Sequence, residues 1–179
     1  FLEEMESQAT STLERQCIAR VWVAVMDYIP FTPDEWLARA QANVEVLEDD
    51  DDALEQLADG LKGRGDDAAL AGVYRKRLEA DIALKDESWL MDAYQVFLRT
   101  QSAESMLALL ERWTSMDGAS VSAWRWWADE SASDCTDLDK LKTALDLLGS
   151  EGPSNEFVTV CRRLFELVEL PERGHFAAT

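Results

Sequence analysis

The segment TPDEWLARAQANVEVL, residues 32–47, carries the pattern that decides the fold class of this chain. Thr32 offers a hydroxyl that can cap a helix, and Pro33 suits the first helical position. The two acidic residues that follow face the positive end of the helix dipole. Apolar residues then recur at spacings of three and four, as a helix with one buried side requires. The segment therefore predicts a helix that begins at Pro33.

The same spacing of apolar residues recurs along the chain, whereas alternating strand patterns with β-branched runs are missing. The prolines and most glycines fall between the periodic stretches, where turns are expected. The predicted helices span residues 11–29, 33–48, 52–63, 66–84, 87–100, 103–115, 120–131, 136–149 and 153–169. Their short connections predict that successive helices fold back as antiparallel hairpins. The predicted fold class is all-α.

Length, composition and charge restrict the classes of protein to which this chain can belong. Its 179 residues are a normal span for one domain, and an apolar fraction of 47% fits a folded protein. The formal net charge of -19 favours solubility and repels nucleic acid and acidic membrane surfaces. No stretch approaches the roughly 18 apolar residues of a membrane span, and no basic segment followed by an apolar one opens the chain. We expect a soluble, intracellular protein and, because it opens at Phe1, a fragment of a longer one.

The predicted helices repeat as pairs, with steps of 32 to 37 residues. Alignment of the first helices places one apolar residue of each pair in a column: Trp22, Leu54, Met91, Trp124 and Phe157. Alignment of the second helices gives a second column: Leu37, Leu70, Leu107 and Leu141. Both columns make the same long step of 37 residues into the third pair, as one shared repeat unit would.

This repetition predicts a single helical-repeat domain over residues 1–179, whose hairpins stack as an α-solenoid. The expected repeats and the tail span residues 11–48, 52–84, 87–115, 120–149, 153–169 and 170–179. A solenoid of this kind offers large surfaces to other macromolecules, so the architecture favours a binding protein over an enzyme.

The spacing of large apolar residues at Met91, Tyr94 and Phe97 resembles the half-a-TPR (HAT) repeat. The second helices around Val73–Leu78 and Leu109–Arg112 resemble the second helix of that family, and the resemblance covers residues 18 to 167. At the corresponding positions the second pair carries Leu54, Leu57 and Gly60. The resemblance implies a TPR-like superhelix that contacts other proteins within an RNA-processing assembly.

A second resemblance is to the pentatricopeptide repeat, through Leu90–Tyr94 followed by Met106, Leu107 and Met116. That family implies a module that reads single-stranded RNA base by base. Affinity for RNA requires lysines and arginines that displace counterions from phosphates, and the acidic balance of this chain opposes it. We expect other proteins as partners and keep RNA binding as the alternative function.

The run Asp49–Asp52, flanked by Glu45, Glu48 and Glu55, is the most conspicuous charge cluster. Several carboxylates together can hold a divalent cation, and a metal-dependent all-α enzyme is therefore a second alternative. The run lacks the alternating acids and the glycine of an EF-hand loop, and the sequence contains no second acidic cluster that could complete a metal site. We interpret it as a solvated linker between helices and expect no metal and no cofactor.

Other residues that could be catalytic or could bind a ligand are also interpreted as structural residues without such a role. His175, the single histidine, lies in the tail, where no rigid scaffold would hold it against a nucleophile. Gly60, Gly63 and Gly65 are expected in a turn between helices rather than in a phosphate-binding loop. The cysteines are odd in number and widely spaced, which predicts buried free thiols: Cys17, Cys135 and Cys161. We expect no catalytic residue.

The segment Arg75, Lys76 and Arg77, with Lys62 and Arg64 nearby, is the one locally basic region of an acidic chain. Such a region could bind an acidic partner or RNA, or could simply solvate one side of a helix. We take the cations at 75 to 77 as candidate partner-binding residues.

The tryptophans are expected to fill the hairpin core at positions 22, 36, 89, 113, 124 and 127. Trp126 is different, because it is rotated by roughly 160° from the mid-line of its two neighbours on the helix. It can pack against the following hairpin near Phe157 and Val160, or it can be exposed beside Arg125 as an interface anchor. Trp126 and Arg125 are therefore the second pair of candidate partner-binding residues.

Overall fold

A computed structural model describes residues 1–80 and 87–173 of the protein, with side chains described through residue 168. The described residues form α-helices and a short 3-10 turn, with no strand among them, which confirms the all-α prediction. The α-helices are α1 (Leu2–Gln8), α2 (Thr12–Val25), α3 (Pro33–Leu47), α4 (Asp51–Arg64), α5 (Asp67–Glu79), α6 (Glu87–Arg99), α7 (Ala103–Thr114), α8 (Val121–Ser131), α9 (Leu138–Gly149) and α10 (Asn155–Arg173).

The helix starts follow the capping signals in the sequence. The hydroxyl of Thr32 accepts from the N–H of Glu35 at 3.3 Å, and the Glu35 carboxylate accepts from the N–H of Thr32 at 2.9 Å. Ser11 and Glu14 form the same capping box at the start of α2. Side-chain hydrogen bonding to Thr32 lowers the pKa of Glu35 from its ordinary value. The helix start predicted at Pro33 is confirmed.

Most predicted helix boundaries agree with the structure to within a few residues. The first predicted helix, 11–29, ends as an α-helix at Val25 and continues as the 3-10 turn Met26–Tyr28. α1 was not predicted as a separate helix. The end of the predicted helix 66–84 and the tail residue His175 lie outside the described residues. No helix in the described ranges combines the length and the apolar character that crossing a bilayer requires.

The helices belong to two compact units, Phe1–Ser102 and Ala103–Thr179. The division falls inside the predicted repeat 87–115, so the expectation of one continuous domain stays a prediction.

In the first unit, helices that follow one another in the chain pack together from α1 to α6. α2 also meets α4, where the side-chain amide of Gln56 donates to the carbonyl of Val23 at 2.8 Å. The largest buried side chains of this unit are Trp22, Met26, Leu54, Leu70, Tyr74, Leu90 and Phe97. Their burial supplies most of the free energy that holds the unit together.

In the second unit, α8 lies at the centre. It packs against α7, α9 and α10, and α9 packs against α10 as well. The largest buried side chains are Leu109, Leu110, Trp113, Trp124, Trp127, Leu141 and Leu148. The two tryptophans predicted to face the hairpin core from α8, at positions 124 and 127, are both buried.

Two residues of the aligned columns are exposed, and a third, Phe157, is only half-buried. Met91 is 45% exposed and Leu107 is 39% exposed, although the residues three positions later, Tyr94 and Leu110, are buried. In α6 the buried stripe begins at Leu90, and a shift of one residue turns a side chain by about 100° around a helix. The aligned columns therefore do not coincide with the buried stripe at Met91 and Leu107.

Gly60 and Gly63 lie inside α4 and not in a turn, which corrects the sequence interpretation. A Cβ at position 60 would lie 2.9 Å from Cδ1 of Leu37 and 3.0 Å from Cζ3 of Trp36. The absence of a side chain lets α3 approach α4 closely at this point. Gly65 alone ends the helix, with a φ of +69° that favours glycine.

Candidate partner-binding surfaces

Arg77 is an internal residue and not a surface cation. Its side chain is 6% exposed at the end of α5, and its Nε donates to Oδ1 of Asp51 at 2.9 Å. Its guanidinium carbon lies 4.7 Å from the centre of the Trp89 ring. Because its charge is satisfied inside the unit, Arg77 is a weaker candidate for a partner contact than its exposed neighbours.

The remaining cations near Arg77 divide into paired and exposed residues. Lys62 forms an ion pair with Asp92, and Arg64 forms one with Asp34. Arg75 and Lys76 are exposed on α5. The predicted basic region therefore reduces to two adjacent surface cations.

Lys76 lines an open cleft of about 510 Å³ between the end of α3 and the end of α5. The cleft also contains Glu45, Glu48, Asp49 and Glu79. Carboxylates outnumber cations here, so the field around Lys76 opposes a phosphate more than it attracts one.

Arg125 and Trp126 on α8 both have partners within the second unit. Arg125 is exposed and forms an ion pair with Glu151. The half-buried ring of Trp126 meets Trp113 of α7 edge to face, with centroids 5.4 Å apart. The ring contact thus lies on the preceding helix, whereas the sequence predicted burial near Phe157 and Val160 or full exposure.

Trp127 is held by two polar groups of its neighbours. Its indole Nε1 donates to Oε1 of Glu111 at 2.8 Å, and the ammonium of Lys140 lies 4.8 Å from the ring centre. Lys140 also forms an ion pair with Glu111. Partial burial tends to raise the pKa of Glu111, but the hydrogen bonds from Lys140 and Trp127 outweigh it and lower the pKa.

The same arrangement occurs in both units, and we call it the tryptophan–cation–carboxylate triad. Its members are Trp22 with Arg39 and Glu6, Trp89 with Arg77 and Asp51, and Trp127 with Lys140 and Glu111. Each cation lies over a ring and is neutralised by a carboxylate from a further helix. The triads tie three helices together and leave their cations no free charge to offer a partner.

The acidic run at 49–52 is only partly a linker. Asp50 caps α4 by accepting from the N–H of Ala53 at 3.1 Å, and Asp51 pairs with Arg77. Asp51 and Asp52 lie in the first turn of α4, where carboxylates stabilise the helix dipole. Among the described residues no group of three or more metal-ligating side chains converges, and the absence of a metal at 49–52 stays a prediction.

Two expectations about the core are corrected by the burial of individual side chains. Cys17 is exposed, while the free thiols of Cys135 and Cys161 are half-buried, so none of the three is fully buried.

Trp36 and Trp89 are half-buried, because they lie at the edge of the hairpin interfaces rather than in their centre. Trp89 stacks on Tyr74 with ring centroids 6.1 Å apart.

Sequence reasoning missed a groove between α2 and α4. Each helix lines it with residues at positions i, i+3, i+4 and i+7. On the α2 side these are Arg20, Val23 and Ala24, together with Asp27 in the 3-10 turn that follows the helix. On α4 they are Asp52, Glu55, Gln56 and Asp59. Two adjoining hollows of about 330 Å³ and 320 Å³ share Val23, Ala24 and Asp52 and form one groove. The stripes were readable in the sequence, but their apposition was not.

No protein-family model, no curated protein and no solved structure matches this chain.

Proposed function

We propose that this protein is a helical-repeat scaffold that binds other proteins. The observation that carries the proposal is a set of polar links between helices two apart in the chain. Gln56 reaches Val23 over 33 residues, Lys62 reaches Asp92 over 30, and Lys140 reaches Glu111 over 29.

These separations, 29 to 33 residues, are close to the steps of 32 to 37 residues in the sequence, and stacked hairpins would produce links at such a spacing. These links support the TPR-like or HAT-like solenoid as the proposed architecture. Such stacks leave long helix faces and grooves open to partners, whereas an enzyme site requires converging reactive groups. The HAT resemblance favours a place in an RNA-processing assembly.

Arg75, Lys76, Trp126 and Arg125 stay in the proposal as partner contacts. Arg75 and Lys76 are adjacent and exposed on α5, where they can make polar contacts at the edge of a partner interface. Trp126 keeps part of its ring accessible beside Arg125, and these two residue types are enriched among interface anchors.

The test is affinity purification of the tagged full-length protein from its own cells, with chemical cross-linking and mass spectrometry. We expect defined protein partners at stoichiometric amounts, recovered again when the partner carries the tag. The double variant Arg75→Ala/Lys76→Ala and the variant Trp126→Ala should each reduce recovery of a partner. Recovery of nuclease-sensitive RNA without stoichiometric protein would contradict the proposal and favour the pentatricopeptide-like alternative.

A further inference from the structure

The groove between α2 and α4 has an apolar floor, and its rims carry one cation, Arg20, and five carboxylates: Asp27, Asp50, Asp52, Glu55 and Asp59. Val23 and Ala24 of α2 and the half-buried ring of Trp36 form the floor. The amide of Gln56 is fixed to that floor by its 2.8 Å hydrogen bond to the carbonyl of Val23. Oε1 of the same amide is buried and accepts no hydrogen bond within the described chain. The floor therefore consists of apolar area beside an amide that is fixed in place.

The rims carry more negative charge than the chain itself neutralises. Asp52 and Glu55 on α4 and Asp27 after α2 form no ion pair with a cation of residues 1–80 or 87–168. Asp59 has a single distant partner, Lys62, at 3.9 Å. Elsewhere in the same unit, acids such as Asp34, Asp51 and Asp67 are each engaged by an arginine. Among the lining residues of the groove the carboxylates outnumber the single cation, Arg20, so the groove is net negative.

We propose that this groove binds an extended segment of a partner protein in which lysines or arginines flank an apolar residue. The apolar residue would lie on Val23, Ala24 and Trp36, and the cations would meet Asp27, Asp52 and Glu55. Seven helical residues span about 10 Å, which is the length of about three residues of extended chain. This proposal rests on the proposed function and adds the surface and the chemistry of its ligand.

The probe is a fluorescein-labelled nine-residue peptide that alternates lysine and leucine, titrated by fluorescence anisotropy. Its counterparts replace lysine by glutamate, or leucine by serine. We expect saturable binding of the lysine and leucine peptide, weaker binding of the lysine and serine peptide, and no binding of the acidic one. The Nε1–H resonance of Trp36, assigned with Trp36→Phe, should shift on titration.

The decisive variant is Asp52→Asn/Glu55→Gln, compared with the matched control Glu130→Gln/Asp146→Asn. Both variants remove two exposed negative charges, but the control acids lie on α8 and α9. The groove variant loses two exposed ion pairs with the peptide, so its affinity for the peptide should fall about fivefold to tenfold. The control should change affinity less than about twofold. Thermal melting of both variants shows that they are folded.

Equal losses in both variants, or an unmoved Trp36 resonance, would overturn the groove as the site. Sedimentation velocity on the same samples tests another occupant. Self-association of the protein that Asp52→Asn/Glu55→Gln abolishes would assign the groove to a second copy and overturn the peptide proposal. The peptide titration does not depend on a cellular partner, so its failure is distinguishable from a failure of the affinity purification.

Discussion

Gly60 shows at the scale of one residue how a local departure from the repeat pattern serves packing. It occupies the position at which the first and third pairs carry Tyr28 and Phe97, and the side chains of Trp36 and Leu37 lie where its Cβ would be. Gly63, three residues later in the same helix, has nothing within 4 Å of that position. Gly63 can therefore serve as the control for a substitution at Gly60, because both lie in the same helix and only Gly60 has close neighbours.

Gly60→Ala should destabilise the first unit by about 1 to 3 kcal/mol, because the added methyl group overpacks the contact between α3 and α4. Gly63→Ala should stabilise it by about 0.5 to 1 kcal/mol, because it removes backbone entropy from the unfolded chain without a clash. Urea denaturation monitored by circular dichroism measures both. Equal effects of the two substitutions would contradict the close approach at Gly60.

Gln101 ends α6 in a conformation that glycine prefers. Its φ is +53°, and the N–H of Ser102 donates to the carbonyl of Phe97 at 2.8 Å, as in a Schellman motif. Gly65 ends α4 with the same pair of bonds 36 residues earlier. The two helices therefore end in the same way with different residues.

Gln101→Gly should raise the free energy of unfolding by about 0.5 to 1 kcal/mol, because a side chain is strained at positive φ. The control is Gln95→Gly, an exposed position inside α6, which should lower it by about 1 kcal/mol. Differential scanning calorimetry should show opposite shifts of the melting temperature. A lower melting temperature for Gln101→Gly would contradict the assigned helix end.

At the scale of helices, each tryptophan–cation–carboxylate triad is a polar contact that joins three helices. In the second unit, Glu111 of α7 accepts from Trp127 of α8 and from Lys140 of α9. One carboxylate thus joins three helices. Its protonation should loosen all three contacts together.

The lowered pKa of Glu111 predicts a pH dependence of stability. A carboxyl whose pKa is lower in the folded state contributes stability that is complete above its ordinary pKa of 4.5 and is lost as pH falls through the folded pKa. Glu111→Gln should be less stable than the natural protein at pH 7, and the difference should shrink towards pH 3. Thermal melts at a series of pH values measure it, and a constant difference would contradict the role of the carboxylate.

The contact between Trp126 and Trp113 is the second helix-scale feature with a measurable consequence. Trp126→Ala should destabilise the second unit by about 1 to 3 kcal/mol, less than for a fully buried tryptophan, because the ring is half-buried. Arg125→Ala should change stability by less than about 1 kcal/mol, since it removes an exposed ion pair. Chemical denaturation compares the two. An unchanged stability of Trp126→Ala would mean that the ring does not support the core.

At the scale of the whole molecule, charge decides which partners the protein can hold. The net charge of -19 opposes phosphate binding, and three of the five cations in the predicted basic region are paired inside the first unit. The two that stay exposed, Arg75 and Lys76, cannot follow an RNA backbone over several nucleotides.

We therefore expect no measurable affinity for a generic single-stranded RNA at about 0.15 M salt, where surface charges act over about 8 Å. Fluorescence anisotropy with a labelled oligonucleotide is the measurement, and the lysine and leucine peptide is the positive control. RNA binding at micromolar concentration or tighter would revive the pentatricopeptide-like alternative.

Much of the fold could be predicted from the sequence, while the candidate site could be predicted only in part. The helices and the caps at Thr32 and Ser120 follow from residues within a few positions of one another. Arg75 and Lys76 were correctly expected at the surface, but nothing local distinguishes them from Arg77. Whether Arg77 is buried or exposed depends on its pairing with Asp51, which lies 26 residues earlier in the chain.

The sequence by itself determined where the helices lie, because capping and one-sided periodicity act within four residues. The tertiary structure alone decided which side of each helix is buried at Met91 and Leu107, and which carboxylates are left unpaired along α2 and α4. Both outcomes depend on the rotation and apposition of helices whose contacts join residues about 30 positions apart. A helix turns by about 100° with each residue, so a shift of one residue along the apolar pattern moves a side chain from the core to the surface.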